Sequence, residues 1–526
     1  MPKLHWWQEG VIYQIYPLSF QDSNGDGQGD LPGITSRLDY LEWLGVDAVW
    51  LSPIYPSPMA DCGYDVSNYT DVNPVFGTLA DLDRLIAQAH RRGLRLLLDV
   101  VPNHTSDQHP WFQESRRSRD NPKRSWYIWK DGSPDRPPNN WLSVFGGSAW
   151  EWDKPTAQYY YHAFLKEQPD LNWRHPEVQQ AMLDAIRFWL DRGVDGFRID
   201  VIWHMIKDSL FRDNPANPQY TPDQSPYLSL LTTYSADRPE VHEVIKRIRE
   251  VVDAYEERVL LGEIYLPVER TVEYYGEEGS GLHLPFNFQL IQLPWDAVAI
   301  SRAIEQYERV LPAYGWPNWV LGNHDKPRVA NRIGPRQARV AAMLLLTLRG
   351  TPTIYYGEEI GMANADIPPE LVRDTRGIRQ PGRGRDPVRT PMQWSSERHA
   401  GFTVGSPWLP VHPHYPSINV NRQCAESTSM LALYRRLIQL RRSEPALTRG
   451  SYQGLAAPAG VITYLREAEG KRFLVALNLA SRPQTIPLDD MSGRIIVSTS
   501  LGTDAPPVAG SLGLRADEGV IVEVTG

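Results

Sequence analysis

The chain of 526 residues is 41% hydrophobic and 22% charged, a globular composition too long for one ordinary domain. Its net charge of −9 and the lack of any long basic run exclude the electrostatic footprint of a nucleic-acid or anionic-membrane binder. No apolar stretch is long enough to span a bilayer, and the N-terminal segment lacks the apolar core of a secretory signal, which implies a cytoplasmic protein.

Taken in chain order, short apolar runs alternate with helical periodicity, the pattern of βαβ units and a parallel sheet. Val11–Ile15 reads as the first strand and Thr35–Leu44 as a helix. Ala48–Leu51, a helix over Ala80–Arg92 ended by Gly93, and the strand Leu94–Val100 follow. A stretch over 103–170, rich in Trp, Pro, Asn and Gly, interrupts the alternation and reads as an inserted subdomain. The strands then resume as Gly196–Asp200, Val259–Glu263, Pro285–Phe288, Trp319–Asn323 and Thr353–Tyr356. Eight strands close a parallel barrel, so the expected fold is a (β/α)8 TIM barrel over 1–102 and 171–442. From 443 to 526, alternating segments without helices, such as Val461–Leu465 and Phe473–Leu477, predict an all-β sandwich. The two cysteines, Cys62 and Cys424, are far apart and imply free thiols rather than a disulfide framework or a zinc site.

In such a barrel the chemistry gathers at the C-terminal ends of the strands. There the sequence places Asn103-His104 after the third strand, Arg198 and Asp200 at the fourth, Glu263 at the fifth and Asn323-His324-Asp325 at the seventh. Arg198 and Asp200 share a strand face because side chains alternate. Two carboxylates flanking a scissile bond, one ionised and one protonated, are what glycoside cleavage requires. Arg198 is expected to hold Asp200 ionised, and like charge to raise Glu263 toward a useful acid. The chain's 18 Trp and 25 Tyr supply flat faces with polar tips that suit sugar rings as well as cores.

These segments, Asp99-Val100-Val101-Pro102-Asn103-His104, Gly196-Phe197-Arg198-Ile199-Asp200, Gly262-Glu263 and Asn323-His324-Asp325, resemble in order the four signature regions of glycoside hydrolase family 13, the α-amylase superfamily. Gln168-Pro169-Asp170-Leu171-Asn172-Trp173 is similar to the further signature of its oligo-1,6-glucosidase and α-glucosidase branch. The resemblance implies a retaining, exo-acting α-glucosidase acting on short α-glucosides, with alcohols or sugars as acceptors in transfer. It makes Asp200 the nucleophile, Glu263 the acid/base and Asp325 the required carboxylate that grips the sugar hydroxyls. It makes Asp61, Tyr64, His104, Phe145, Phe164, Gln168, Arg198, Val201, His324 and Arg385 substrate-binding, with Asp61 paired to Arg385 at the closed end of the pocket.

Two further features bear on cofactor and specificity. Asp22-Ser23-Asn24-Gly25-Asp26-Gly27-Gln28-Gly29-Asp30 sets oxygen ligands at alternate positions round a glycine-rich turn. It resembles the start of an EF-hand loop, but Gly33 stands where that loop needs Glu; the family resemblance implies instead a structural Ca²⁺ or Mg²⁺ on Asp22, Asn24, Asp26, the Gln28 carbonyl and Asp30. In the resembling enzymes a Val after the nucleophile, as Val201 here, accompanies α-1,6 hydrolysis, whereas the long segment from Lys207 to Pro239 resembles the enlarged loop of α-glucosidases that favour very short substrates. Related sucrose- and trehalose-converting enzymes share the catalytic set; the sucrose isomerases carry an Arg-Leu-Asp-Arg-Asp stretch after the seventh strand, where this chain has Lys326-Pro327-Arg328. The sequence carries no signal for oligomeric state.

Overall fold

The computed structural model describes residues 4–502 and 507–525; residues 1–3, 503–506 and 526, at the limits of the first domain and within the last, lie outside the described residues. The barrel strands are β1 (Ile12–Ile15), β2 (Ala48–Leu51), β3 (Arg95–Val100), β7 (Gly196–Ile199), β8 (Val259–Gly262), β9 (Leu284–Pro285), β10 (Asn318–Val320) and β11 (Thr351–Tyr355). Three strands of the insertion, β4 (Trp129–Asp131), β5 (Trp150–Asp153) and β6 (Gln158–Tyr161), fall between β3 and β7. The eight barrel strands pair in the order β10-β11-β1-β2-β3-β7-β8-β9, all parallel, and a parallel bridge from Asn287 to Trp319 joins the two ends of that order.

Period-two alternation decides which residues fill the barrel and which meet the helices. Ile12, Ala48, Trp50, Leu97, Val259, Leu261, Leu284, Phe286 and Val320 form the interior cluster. Their neighbours Tyr13, Val49, Leu51, Leu96, Leu98, Leu260 and Trp319 pack outward in the main core.

Three elements differ from the sequence expectation. The single helix over Thr35–Leu44 is two, Leu31–Ser36 and Leu38–Leu44, broken at Arg37. The first begins early because the Asp30 side chain caps it by accepting from the Gly33 N–H, and Pro32 suits its first turn. The sixth barrel strand is only Leu284–Pro285, since Pro285 has no N–H to give the ladder. The C-terminal domain is one continuous six-stranded antiparallel sheet. It attains the two-layer packing of a sandwich by folding on itself where the pairing slips between Pro487 and Ser492, so that Ile486, Leu488, Leu512 and Leu514 cover Leu474, Ala476, Val520 and Val522. Its other face, with Tyr464, Phe473, Val475 and Leu477, joins the barrel core.

The insertion carries a helix, Pro110–Arg117, and the antiparallel order β4-β6-β5. It is tied to the barrel by a buried ion pair, Lys207 Nζ to Asp170 Oδ2 at 2.5 Å, with Lys207 also donating to Asn103 Oδ1 at 2.7 Å. Because Asn103 begins the insertion and Asp170 ends it, one ammonium closes the excursion at its neck. No helix of the described residues is long and apolar enough to cross a membrane.

Candidate active site

A cavity of about 440 Å³ on the opposite, N-terminal face of the barrel holds none of the expected site residues. The cavity at the C-terminal face, about 640 Å³, is lined by Asp61, Tyr64, His104, Phe145, Phe164, Asp200, Val201, Glu263, His324, Asp325 and Arg385. Of the residues expected from sequence, Arg198 and Gln168 stand just behind that wall: Arg198 hydrogen-bonds to Asp200, and Gln168 Nε2 donates to Asp61 Oδ2 at 3.0 Å.

The floor is built on one guanidinium. Arg198 Nη1 donates to Asp200 Oδ1 at 2.7 Å and to Asp99 Oδ1 at 2.8 Å, and its Nη2 pairs with Glu263 Oε2 at 2.5 Å. Strand alternation explains why Arg198 and Asp200 are together, and the parallel register sets Asp99 opposite Arg198 on the neighbouring strand. Asp200 and Glu263 thus share one guanidinium, the first on Nη1 and the second on Nη2.

The expectation that Arg198 alone would hold Asp200 ionised needs correcting. Burial is the largest influence on Asp200 and raises it well above the ordinary carboxylate range; Arg198 opposes this, while Glu263 and Asp99 add to it. Burial likewise pushes Asp99 up to about 7. Three buried carboxylates thus share one cation.

Asp325 has the opposite balance. Burial would raise it, but the guanidinium groups of Arg385, Arg389 and Arg198 hold its carboxyl well below the usual range. Arg389 Nη2 donates to Asp325 Oδ1 at 2.9 Å and Arg385 Nη1 to the same oxygen at 3.3 Å. Burial lowers His324 to about 3 and His104 to about 4, so both rings are neutral. Gln14 Nε2 lies 2.8 Å from His324 Nδ1, which leaves the ring proton on Nε2, the nitrogen that faces Asp325 at 3.6 Å. Tyr64 stacks on His324 with ring centroids 5.2 Å apart, and its hydroxyl donates to Asp99 Oδ2 at 3.0 Å.

Arg385 seals the far end. It pairs with Asp61 at 2.5 Å and with Asp374 at 2.7 Å, and it lies over the Phe145 ring at 5.1 Å. The opposite wall comes from the long segment after β7, through Asn217, Ser225, Tyr227, Leu228, Leu230, Leu231 and Thr232. That segment leans on the insertion, where Trp141 Nε1 donates to the Arg212 carbonyl and Phe211 packs on Trp141 and Trp150.

Several residues of this site were not assigned by sequence reasoning. Asp99 lies inside the segment Asp99–His104, where its charge was the available signal, and Arg389 lies outside every segment singled out above. Asp374, Arg376, Lys326, Trp203 and Tyr265 come from loops or strand-end positions with no periodicity to mark them.

The glycine-rich loop is a set of nested turns. Asp22 accepts from the N–H groups of Asn24, Gly25 and Gly27; Asn24 accepts from Asp26, and Asp26 from Gln28. Asp22 and Asp30 are buried, and neither forms an ion pair with a described residue. Burial chiefly, and Asp22 in smaller part, push Asp30 above its ordinary range, against the hydrogen bonds it accepts from Gly33 and Ser23. No group of three or more His, Cys, Asp or Glu among the described residues is disposed to hold a metal ion.

Residues 14–450 match the α-amylase catalytic domain family and residues 454–517 the maltogenic amylase C-terminal domain family. A probable α-glucosidase of Rhizobium meliloti is 44% identical over 92% of this chain and 91% of its own. An oligo-1,6-glucosidase of Parageobacillus thermoglucosidasius is 39% identical over 92% of each. Among solved structures, an α-glucosyl transfer enzyme superposes with a TM-score of 0.94 at 42% identity, covering 99% of this chain and 100% of that one. The trehalulose synthase of Pseudomonas mesoacidophila superposes with a TM-score of 0.91 at 37% identity over all of both chains. A closed barrel with paired carboxylates at its C-terminal mouth is thus matched along nearly its whole length by glycoside hydrolases, and the chain belongs to their α-amylase family, glycoside hydrolase family 13.

Proposed function

We propose that the protein is a retaining, exo-acting α-glucosidase that removes the terminal non-reducing glucose from short α-glucosides. One observation carries the reading: the pocket is plugged by Arg385 between Asp61, Asp374 and Asp325 at one end, and Asp200 and Glu263 lie together on Arg198 at its floor. A pocket closed behind one sugar unit admits only a chain end. Asp325, with His324 and His104, binds the hydroxyls of that unit and thereby fixes C1 over Asp200.

Asp200 Oδ then displaces the aglycone oxygen at C1, and Glu263, as general acid, gives that oxygen a proton. Glu263, now ionised, takes a proton from water, whose oxygen attacks C1 and expels Asp200, so glucose leaves with the α configuration it had. Tyr227, Leu228, Leu230, Leu231 and Leu266 give the aglycone side an apolar wall. An alcohol or a second sugar held there competes with water for the glucosyl-enzyme, which supports transglucosylation. The test is hydrolysis of p-nitrophenyl α-glucoside and of a maltose-to-starch length series, with the first-formed anomer read by NMR. Rapid internal cleavage of starch, or β-glucose formed first, rejects the assignment.

For the glycine-rich loop we propose a structural Ca²⁺ or Mg²⁺ on Asp22, Asn24, Asp26, the Gln28 carbonyl and Asp30, bracing the loop that also caps the helix Leu31–Ser36. Its role is to neutralise Asp22 and Asp30, distant from the bond that breaks. The buried thiol of Cys62 and the exposed thiol of Cys424, both free, support a cytoplasmic setting.

A further inference from the structure

Asp61 and Tyr64, which line the pocket, come from one loop after β2. Its backbone is strained: Met59 and Cys62, neither of them a glycine, have φ of 66° and 51°, and Gly63 follows at 105°. Left-handed residues set so close together persist only where their surroundings hold them. One side chain of the same loop supplies that hold. Asp65 is fully buried and folds back over the turn, where its Oδ1 accepts from the Ser57 hydroxyl and from the Asp61 N–H, each at 2.9 Å. Its Oδ2 accepts from the Ala60 N–H at 2.8 Å. The Ser57 hydroxyl in turn accepts from the Met59 N–H at 2.9 Å, so one carboxylate governs Met59, Ala60 and Asp61 together. Burial is the largest influence on Asp65 and pushes it up to about 6, against these hydrogen bonds, so at neutral pH it is ionised and accepts from all three donors.

The closed end of the pocket has two halves, held in different ways. Arg385 is fixed independently of Asp61, because Asp374 takes its Nη2 at 2.7 Å, its Nε at 3.0 Å and its backbone N–H at 2.7 Å. Asp61 gives its own backbone N–H to Asp65. Its side chain is gripped by Arg385 and Gln168, and Thr375 Oγ1 donates to the neighbouring Ala60 carbonyl at 2.6 Å. Asp65 itself does not line the cavity, and the reaction described above gives it no task.

We propose that Asp65 is a positioning residue: by clasping the turn over 59–63 it presents Asp61 to the far end of the bound glucosyl unit, and so decides how strictly the pocket is closed there. The proposal rests on the glucosidase reading above. With C1 over Asp200 at the floor, the C4 hydroxyl across the ring reaches the closed end, whereas the C2 hydroxyl stays beside C1. Asp65→Asn removes the clasp at nearly constant volume. Whichever way the amide is turned, its NH2 faces an N–H, that of Ala60 in one orientation and that of Asp61 in the other.

The experiment measures kcat/KM for p-nitrophenyl α-glucoside and for its 4-deoxy and 2-deoxy forms, in wild type and variants. The ratio of parent to 4-deoxy substrate reads contacts at the closed end, and the ratio of parent to 2-deoxy substrate reads contacts near C1. In Asp65→Asn the 4-deoxy ratio is expected to fall by about tenfold while the 2-deoxy ratio stays within about twofold, with KM for the parent raised more than kcat is lowered. Ser57→Ala removes one donor and leaves the carboxylate; it is expected to shift the 4-deoxy ratio the same way by about threefold, and it serves where Asp65→Asn does not fold. In the Asp61→Ala background, adding Asp65→Asn is expected to change that ratio by less than about twofold, because the residue it acts through is gone. A wild-type 4-deoxy ratio near one, or an unchanged ratio in whichever variant folds, overturns the proposal. So does an equal fall in both ratios, or a further fall beyond about twofold in the Asp61→Ala background. A wild type unable to hydrolyse p-nitrophenyl α-glucoside would instead refute the glucosidase reading itself.

Discussion

Lys207→Met isolates the contact that closes the neck of the insertion. The ammonium and the Asp170 carboxylate are both buried, with side-chain exposures of 1% and 0%, and they meet at 2.5 Å. Methionine keeps the aliphatic stem and removes the charge, so Asp170 is left ionised in a dry site. Breaking such a pair costs about 3–5 kcal/mol. Asp170 retains the Asn103 Nδ2 donor at 2.8 Å and the Ala163 N–H at 2.7 Å, which places the expected loss at the lower limit, about 3 kcal/mol. Removing the orphaned charge as well, in Lys207→Met/Asp170→Asn, should recover most of it. Urea unfolding followed by tryptophan fluorescence gives the stability, and limited proteolysis locates the opening within 103–170. His104 follows Asn103, and Gln168 lies two residues before Asp170, so KM for p-nitrophenyl α-glucoside should rise more than kcat falls. A loss under about 1 kcal/mol, or a double variant no more stable than the single, would refute the reasoning.

Asp200→Asn should lower activity by at least about a thousandfold with the far-ultraviolet spectrum unchanged, since the amide fills the same space but cannot attack C1. Chelation of divalent ions, or Asp22→Ala, should lower Tm while leaving KM within about twofold; loss of activity in the still-folded protein would assign the cation to the reaction instead. Val201 lines the pocket and its N–H donates to Glu263 Oε2 at 3.1 Å, so Val201→Thr should shift the isomaltose-to-maltose rate ratio toward maltose by about tenfold without moving the backbone. A ratio moved less than twofold discards Val201 as the linkage determinant. Glu358 is buried with both carboxylate oxygens unpartnered, faced by Arg328, Arg332 and Glu359, and burial pushes it up to about 8. Its folded value lies above its unfolded one, so the native state holds the proton more tightly, and stability falls as pH rises from the unfolded pKa through about 8. Glu358→Gln should flatten that fall between pH 6 and 9; an unchanged Tm profile would show that Glu358 is not the group responsible.

How much of this could be read from the chain depends on the range of the interaction involved. Strand periodicity is local, and the barrel was legible because side chains such as those of Ile12, Trp50, Leu97 and Leu261 alternate with outward-facing neighbours whatever lies far away in sequence. The grouping of Asp200, Glu263 and Asp325 in one cavity was legible for a related reason: they sit at or just beyond the ends of those strands, in short motifs that the fold delivers to one face. What the chain did not reveal is pairwise and distant. Lys207 with Asp170, Arg385 with Asp374, and Asp99 and Glu263 with Arg198 meet only through the tertiary fold, and no local pattern marks them. The same limit explains the protonation of Asp200. From the sequence an adjacent Arg argues for an ionised carboxylate, but that argument treats Arg198 as belonging to one partner. In the fold it serves Asp99, Asp200 and Glu263 at once, and for Asp200 and Asp99 burial outweighs its share. Charge in this pocket is therefore set by how many groups divide each cation.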